Sequence, residues 1–170
     1  MEFSIWGCAL IVTAAFVTDI RTMKIPNWLT LTAVISGILF HTAAEGLQGL
    51  AFSAKGLGIG FAVLLLMHVM GAVGAGDVKL FAGIGAWLGA LLTLQCLVYS
   101  VLCAGMIGIL ILLWRREMLQ RLRQIVLSIS GALILKSPRV LKAGKEQQLR
   151  FPFMLAVFPG FVIACMYAFL

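Results

Sequence analysis

Long apolar runs separated by short polar breaks set the pattern of this chain. Six can be read, over residues 3–18, 28–44, 57–73, 78–92, 94–114 and 151–170. A helix needs about 20 residues to cross about 30 Å of hydrocarbon, so the shorter runs are expected to extend into their flanks. Residues 80–114 contain no charge at all. One straight helix of that length would measure about 50 Å, far more than a bilayer, so the chain is expected to fold back near Thr93 and Gln95. Glycines recur in or beside the runs (Gly56, Gly60, Gly83, Gly85, Gly89), where they permit close helix approach in lipid. The expected fold is all-α. It is a polytopic membrane helix bundle of about six spans, with residues 1–170 forming one integral membrane domain.

Composition agrees with that pattern. Hydrophobic residues make up 62% of the chain and charged residues only 11%, and a soluble domain carries far more polar surface. The net charge of +7 raises the question of nucleic acid. Nine of the thirteen Lys and Arg, however, fall within 115–150, between two apolar runs. That placement suits contact with anionic lipid headgroups, and no nucleic-acid-binding motif accompanies it. Inside this segment, 125–135 is apolar but too short to span, and reads as an interfacial or packed cytoplasmic helix.

Charge also sets orientation. Arg21 and Lys24 follow the first run, Lys79 follows the third, and the nine basic residues follow the fifth. With six spans all twelve lie on one face, against Lys55 alone on the other. The positive-inside rule makes the first face cytoplasmic and directs both termini away from it. Glu2 stands where a cleavable signal would be basic, so the first run reads as a retained span. Cys8, Cys96, Cys103 and Cys165 each lie inside an apolar run without a CxxC pair. They read as buried thiols, with no metal site and no disulfide framework.

The sequence holds two aspartates, Asp19 and Asp77. The topology puts both at the cytoplasmic ends of spans, although it was drawn from basic residues alone. Ionisable groups near hydrocarbon are costly and mark function. Two carboxylates at one depth can share a proton, so that one activates water while the other polarises a carbonyl. Structural readings exist for each. Asp77 can cap a helix beginning at Val78. Asp19, near the C-terminal end of its helix, can form a surface pair with Arg21 or Lys24, against an unfavourable macrodipole. Pro26 is expected to end the first helix near Ile25. Gly74 and Gly76 loosen the backbone ahead of Asp77 and leave room for an extended peptide.

These segments resemble a known family. "DIRTMKIPNWLT" (19–30) and "GAGDVKLFAGIGAWLG" (74–89) are similar to the two signature segments of type IV prepilin peptidases, GxGD-type aspartic membrane proteases. The first has Asp followed six residues later by Ile-Pro-Asn, and the second has GxGD-x-Lys-Leu. A third likeness, a Pro-aromatic-Gly element opening the last span, is incomplete, because Met154 follows Pro152-Phe153. Longer members carry a cytoplasmic insert with paired CxxC motifs tied to methylation, and the chain resembles instead the short form associated with tight-adherence (Flp) pili.

The resemblance implies a membrane aspartic endopeptidase of the bacterial inner membrane with periplasmic termini. Asp19 and Asp77 are its catalytic pair, and its substrate is a prepilin or pseudopilin precursor with a short basic leader, cut after a Gly at the cytoplasmic membrane face. It implies no cofactor, no metal and no methyltransferase activity. Around the pair, Gly74, Gly76, Lys79, Lys24, Pro26 and Asn27 are the candidate substrate-binding or site-shaping residues. For Lys24 and Lys79 the structural alternative is headgroup contact, and for Asn27 it is holding the turn after Pro26. His68 reads as a hydrogen-bonding residue within the bundle, and His41 as interfacial. Trp28, Trp87 and Trp114 read as boundary or packing aromatics. Three other functions share some of these features. A presenilin-like or signal-peptide-peptidase-like intramembrane protease also uses GxGD but lacks the Asp and Ile-Pro-Asn element. An ion- or proton-coupled transporter would carry its acids near the midplane. A non-catalytic secretion-system component would need neither acid.

Overall fold

A computed structural model describes residues 2–114 and 153–169. Every regular element among them is a helix: α1 (Glu2–Thr22), α2 (Asn27–Glu45), α3 (Leu47–Val69), α4 (Ala75–Trp114) and α5 (Met154–Phe169). The chain divides into two compact units. The first contains Met1–Ala104 and Pro152–Leu170. The second is Gly105–Phe151, described over 105–114, which is helical. The basic segment 115–150, with its apolar stretch 125–135, lies outside the described residues.

α4 organises the first unit. Its helix breaks at Gly89, where φ is 75° and ψ −179°, a backbone region that essentially only glycine occupies. The break reverses the chain. A Cβ built on Gly60 of α3 would meet the Phe81 carbonyl and, at 3.2 Å, the Cγ2 of Thr93. Twelve residues of straight helix would hold those two groups about 18 Å apart. α4 therefore has a first arm, 75–88, and a second arm from 90 onward. The fold-back comes earlier than Thr93 and Gln95. Thr93 needs no break, because its hydroxyl donates to the Gly89 carbonyl one turn back at 2.6 Å, and only the glycine can take the reversed conformation.

Counting both arms, six apolar helical segments are present among the described residues. Phe3–Thr22, Asn27–Glu45, Leu47–Val69 and Ala75–Leu110 are long and apolar enough to cross a membrane, and Met154–Ala168 is a shorter apolar helix. Their outer faces expose Phe3, Trp6, Leu10, Leu31, Leu39, Leu66 and Leu91. In water such a surface would drive association; against lipid it is ordinary solvation. The protein is a polytopic helical membrane protein.

The inner side is built on close approach. Every residue from 80 to 89 is buried. Gly85 and Gly56 cross so tightly that a Cβ on either would overlap the other's carbonyl, and a Cβ on Gly83 would lie 2.7 Å from that of Ala33. The Trp87 ring fills the space left by Gly7 of α1 and Gly37 of α2. Its Nε1 donates to the Ala33 carbonyl at 3.0 Å and to Ser36 Oγ at 3.2 Å. In lipid, where apolar burial gives little driving force between helices, contacts of this kind hold a bundle together.

Several boundaries differ from the sequence reading, three of them near the site or the turns that frame it. α1 runs to Thr22 instead of 18, which places Asp19 inside its last turn. α3 begins at Leu47 instead of 57, because Gly46 alone, at φ 61°, makes the turn from α2. Gln48, Ser53 and Lys55 are then helical, and Ser53 turns inward and donates to the Ala86 carbonyl at 2.9 Å. α4 begins at Ala75 instead of Val78. His41 is buried, with Nε2 2.9 Å from the Trp87 carbonyl. Both contacts have one cause. A helix end leaves its last carbonyls without intrahelical partners, and Ser53 and His41 reach those at the end of the first arm. Of the cysteines, Cys8 and Cys96 are buried, while Cys103 and Cys165 are only half-buried. The Trp28 side chain is exposed at the start of α2, and that of Trp114 lies outside the described residues.

Candidate active site

Asp19 and Asp77 stand at the same end of the first unit, in the last turn of α1 and the first turn of α4. Local sequence explains how each is presented. α1 stops at Thr22, three residues before the position where Pro26 alone would end it. Met23 adopts φ 51°, a left-handed conformation uncommon outside glycine and asparagine. Its N–H still donates to the Asp19 carbonyl at 2.8 Å. The Thr22 hydroxyl lies 2.8 Å from the Thr18 carbonyl and 3.0 Å from that of Lys24, pinning the exit turn. Pro26, at φ −67° and ψ 139°, then takes the N-cap position of α2.

Because α4 begins at Ala75, Asp77 is its third residue rather than its cap. From there Oδ2 accepts the Gly74 N–H at 3.2 Å, the acidic half of a capping box. Neither Gly74 nor Gly76 is left-handed. They matter by the space they leave. A Cβ on Gly74 would lie 3.1 Å from Asp77 Oδ2, and one on Gly76 would lie 3.4 Å from the Cβ of Ile25.

Both carboxylates are buried, Asp19 at 7% exposure and Asp77 at 9%. Asp19 Oδ2 accepts the N–H of Met154, the first residue of α5, at 3.2 Å. Asp19 thus sits at the negative end of its own helix but at the positive end of another, which offsets the unfavourable macrodipole. Two buried carboxylates on different helices, each held by one helix N-terminal amide, can supply a base and an acid to one bound group.

The other candidates surround this pair. Lys79 Nζ donates to Asn27 Oδ1 at 3.0 Å on the exposed side. That bond ties the start of α2 to α4, so Lys79 engages Asn27 rather than a carboxylate. Lys24 is exposed, and only its backbone carbonyl takes part in the turn. His68 Nδ1 lies 2.7 Å from the Val73 carbonyl and secures the turn from α3 to α4. Among the described residues no three His, Cys, Asp or Glu side chains converge as a metal site.

The model of the type IV leader peptidase family matches residues 6–113, a stretch that contains both aspartates and their flanking segments. The chain belongs to the type IV leader peptidase family. It is 32% identical over 123 residues to a prepilin leader peptidase/N-methyltransferase of Pectobacterium carotovorum subsp. carotovorum, covering 66% of this chain and 42% of that protein. It is 33% identical over 116 residues to the protein of the same name from Dickeya chrysanthemi, covering 64% of this chain and 40% of that one. The matches thus span about two-fifths of these relatives' length. No solved structure matches. In this type IV leader peptidase family member the matched stretch ends before α5. The Met154 amide, which sequence reasoning missed, comes from outside it.

Proposed function

We propose that this protein is a membrane aspartic endopeptidase that removes the short basic leader from prepilin or pseudopilin precursors. Asp19 and Asp77 form the catalytic pair. One carboxylate, ionised, takes a proton from a water molecule, and the water oxygen attacks the scissile carbonyl. The other carboxyl, protonated, donates to the carbonyl oxygen; as the C–N bond breaks it recovers that proton from the gem-diol, and the first carboxyl passes the proton taken from water to the leaving amine. Such a pair titrates as a unit, and the reactive form carries one proton between the two groups.

The observation that carries this reading is the presence of two buried carboxylates, one from the last turn of α1 and one from the first turn of α4, at one end of the bundle. Their position favours a peptidase over a transporter, since an ion pathway would bring its acids toward the midplane. Membership of the type IV leader peptidase family and the names of the two relatives support the substrate class. Of the two activities in those names, hydrolysis is the one that an acid pair supplies, and leader cleavage is the activity proposed. The basic residues at this end (Arg21, Lys24 and Lys79) support its reading as the cytoplasmic face of the bacterial inner membrane, with both termini periplasmic. Gly74, Gly76, Pro26, Asn27, Lys24 and Lys79 shape the mouth of the site.

The test is co-expression with a prepilin precursor whose basic leader ends in Gly ahead of an apolar segment. Leader loss is followed on a gel. The protein is expected to process it, and Asp19→Ala and Asp77→Ala are each expected to abolish processing. Leader removal that persists in both variants rejects the assignment.

A further inference from the structure

The acid pair has a third structural partner. Met154 opens α5, and its amide is one of the N-terminal donors that a helix cannot satisfy internally. That amide donates to Asp19 Oδ2 at 3.2 Å in a buried setting. Phe153 precedes it as the cap, its carbonyl accepting from Ala156 and Val157 at 2.9 and 3.2 Å. α5 does not depend on this bond for its place. The rings of Phe16 and Phe158 pack with centroids 4.8 Å apart, and Gly160 lies so close to Ser100 that a Cβ there would come within 2.5 Å of the Ser100 nitrogen. Phe158 and Gly160 are one to two turns deeper along α5 than Met154.

We propose that Met154 is a positioning residue for the hydrolysis: its backbone amide fixes the orientation of the Asp19 carboxylate toward the shared water. The inference rests on the assignment of Asp19 and Asp77 as the catalytic pair. Asp77 is positioned from within its own helix by the Gly74 amide. Asp19 has no such local donor, because it lies at the C-terminal end of α1, where backbone groups present carbonyls. Its amide must come from another element, and α5 provides it. The docking of α5 thereby becomes a condition for catalysis and not only for folding.

The side chain and the amide can be separated experimentally. Met154→Pro removes the donor at the first position of a helix, where proline is well tolerated. Met154→Ala keeps the donor and removes the side chain, which is fully buried. Replacing the Phe153–Met154 peptide by an ester, with the α-hydroxy analogue of methionine at 154, removes the donor and keeps the side chain. Cleavage of a purified prepilin precursor by the full chain in detergent micelles is then measured as kcat and KM. A hydrogen bond to a charged group corresponds to a loss of about 10- to 100-fold in kcat. The proline and ester forms are expected to show it with KM within about twofold, while Met154→Ala, which keeps the donor, is expected to lose less kcat than either.

Equal losses in Met154→Pro and Met154→Ala would overturn the proposal, because the side chain would then be what matters. So would an ester form as active as the native chain, and that result decides the question if the proline variant does not fold. Asp19→Ala and Asp77→Ala measured alongside separate the two levels. Activity retained in both rejects the catalytic pair itself, whereas inactive aspartate variants beside a fully active ester reject only the role of the amide.

Discussion

Gly74→Ala is expected to slow the enzyme without unfolding it, and Gly76→Ala to do much less. Neither glycine has a backbone that forbids a side chain, so the contrast rests on what a Cβ would touch. At Gly74 the new methyl lies 3.1 Å from Asp77 Oδ2, closer than a carbon and an oxygen comfortably rest. The carboxylate is the end of a mobile side chain, so it yields by a few tenths of an ångström. The fold then loses only a poorer N-cap, about 0.5–1 kcal/mol. Catalysis is more sensitive, since a misplacement of about 1 Å costs about 100-fold. A shift of a few tenths of that corresponds to roughly 3- to 10-fold in kcat. At Gly76 the methyl lies 3.4 Å from the Cβ of Ile25, an ordinary contact, and the helix gains about 1 kcal/mol from the exchange. The assay is steady-state cleavage of a purified prepilin precursor, beside thermal unfolding of each variant in detergent. A Gly74→Ala enzyme with native kcat would refute the claim that the Asp77 position is set this tightly. A Gly76→Ala enzyme with a raised KM and native kcat would show instead that substrate passes over that glycine.

Three further outcomes follow from the geometry. Asn27→Ala and Lys79→Ala are expected to be non-additive in stability by about 0.5–1 kcal/mol, the range for an exposed polar pair, and strictly additive effects in a double-mutant cycle would deny the 3.0 Å bond a role in tying α2 to α4. Gly89→Ala is expected to destabilise the bundle by about 2 kcal/mol or more, because a Cβ there requires a glycine-only conformation and strikes the Phe52 ring; helix content followed by circular dichroism against temperature checks it. The pH profile of kcat is expected to be bell-shaped. Below the first macroscopic step both acids are protonated and no base remains, and above the second both are ionised and no acid remains. A profile that only rises with pH would point to a single base.

Much of this arrangement was legible in the sequence, and the gaps have identifiable causes. The spans could be read because lipid demands long apolar runs, and the all-helical fold follows from the need to satisfy every backbone group inside the bilayer. The chain reversal within the uncharged stretch was forced by length alone. Its position was not, because polar Thr93 and Gln95 are more conspicuous than Gly89, although only a glycine can make the turn. The start of α3 was missed for a related reason. Gln48, Ser53 and Lys55 look like a loop by polarity, yet Gly46 alone turns the chain, and Ser53 is drawn inside by the carbonyls at the end of the first arm. The two aspartates stood out by rarity and by the segments around them. The partner of Asp19 did not, because it is a backbone amide 135 residues away, and an amide has no side-chain identity for a sequence to display.

The most direct test of the central claim is the cleavage rate of a prepilin precursor by Asp19→Asn, Asp77→Asn and the double variant, each purified and confirmed as folded. Groups that act as one unit are non-additive: removing either costs about as much as removing both. The account predicts that each single variant falls to the residual rate of the double. Two partial losses that multiply in the double variant, or a single variant that keeps substantial activity, would contradict it.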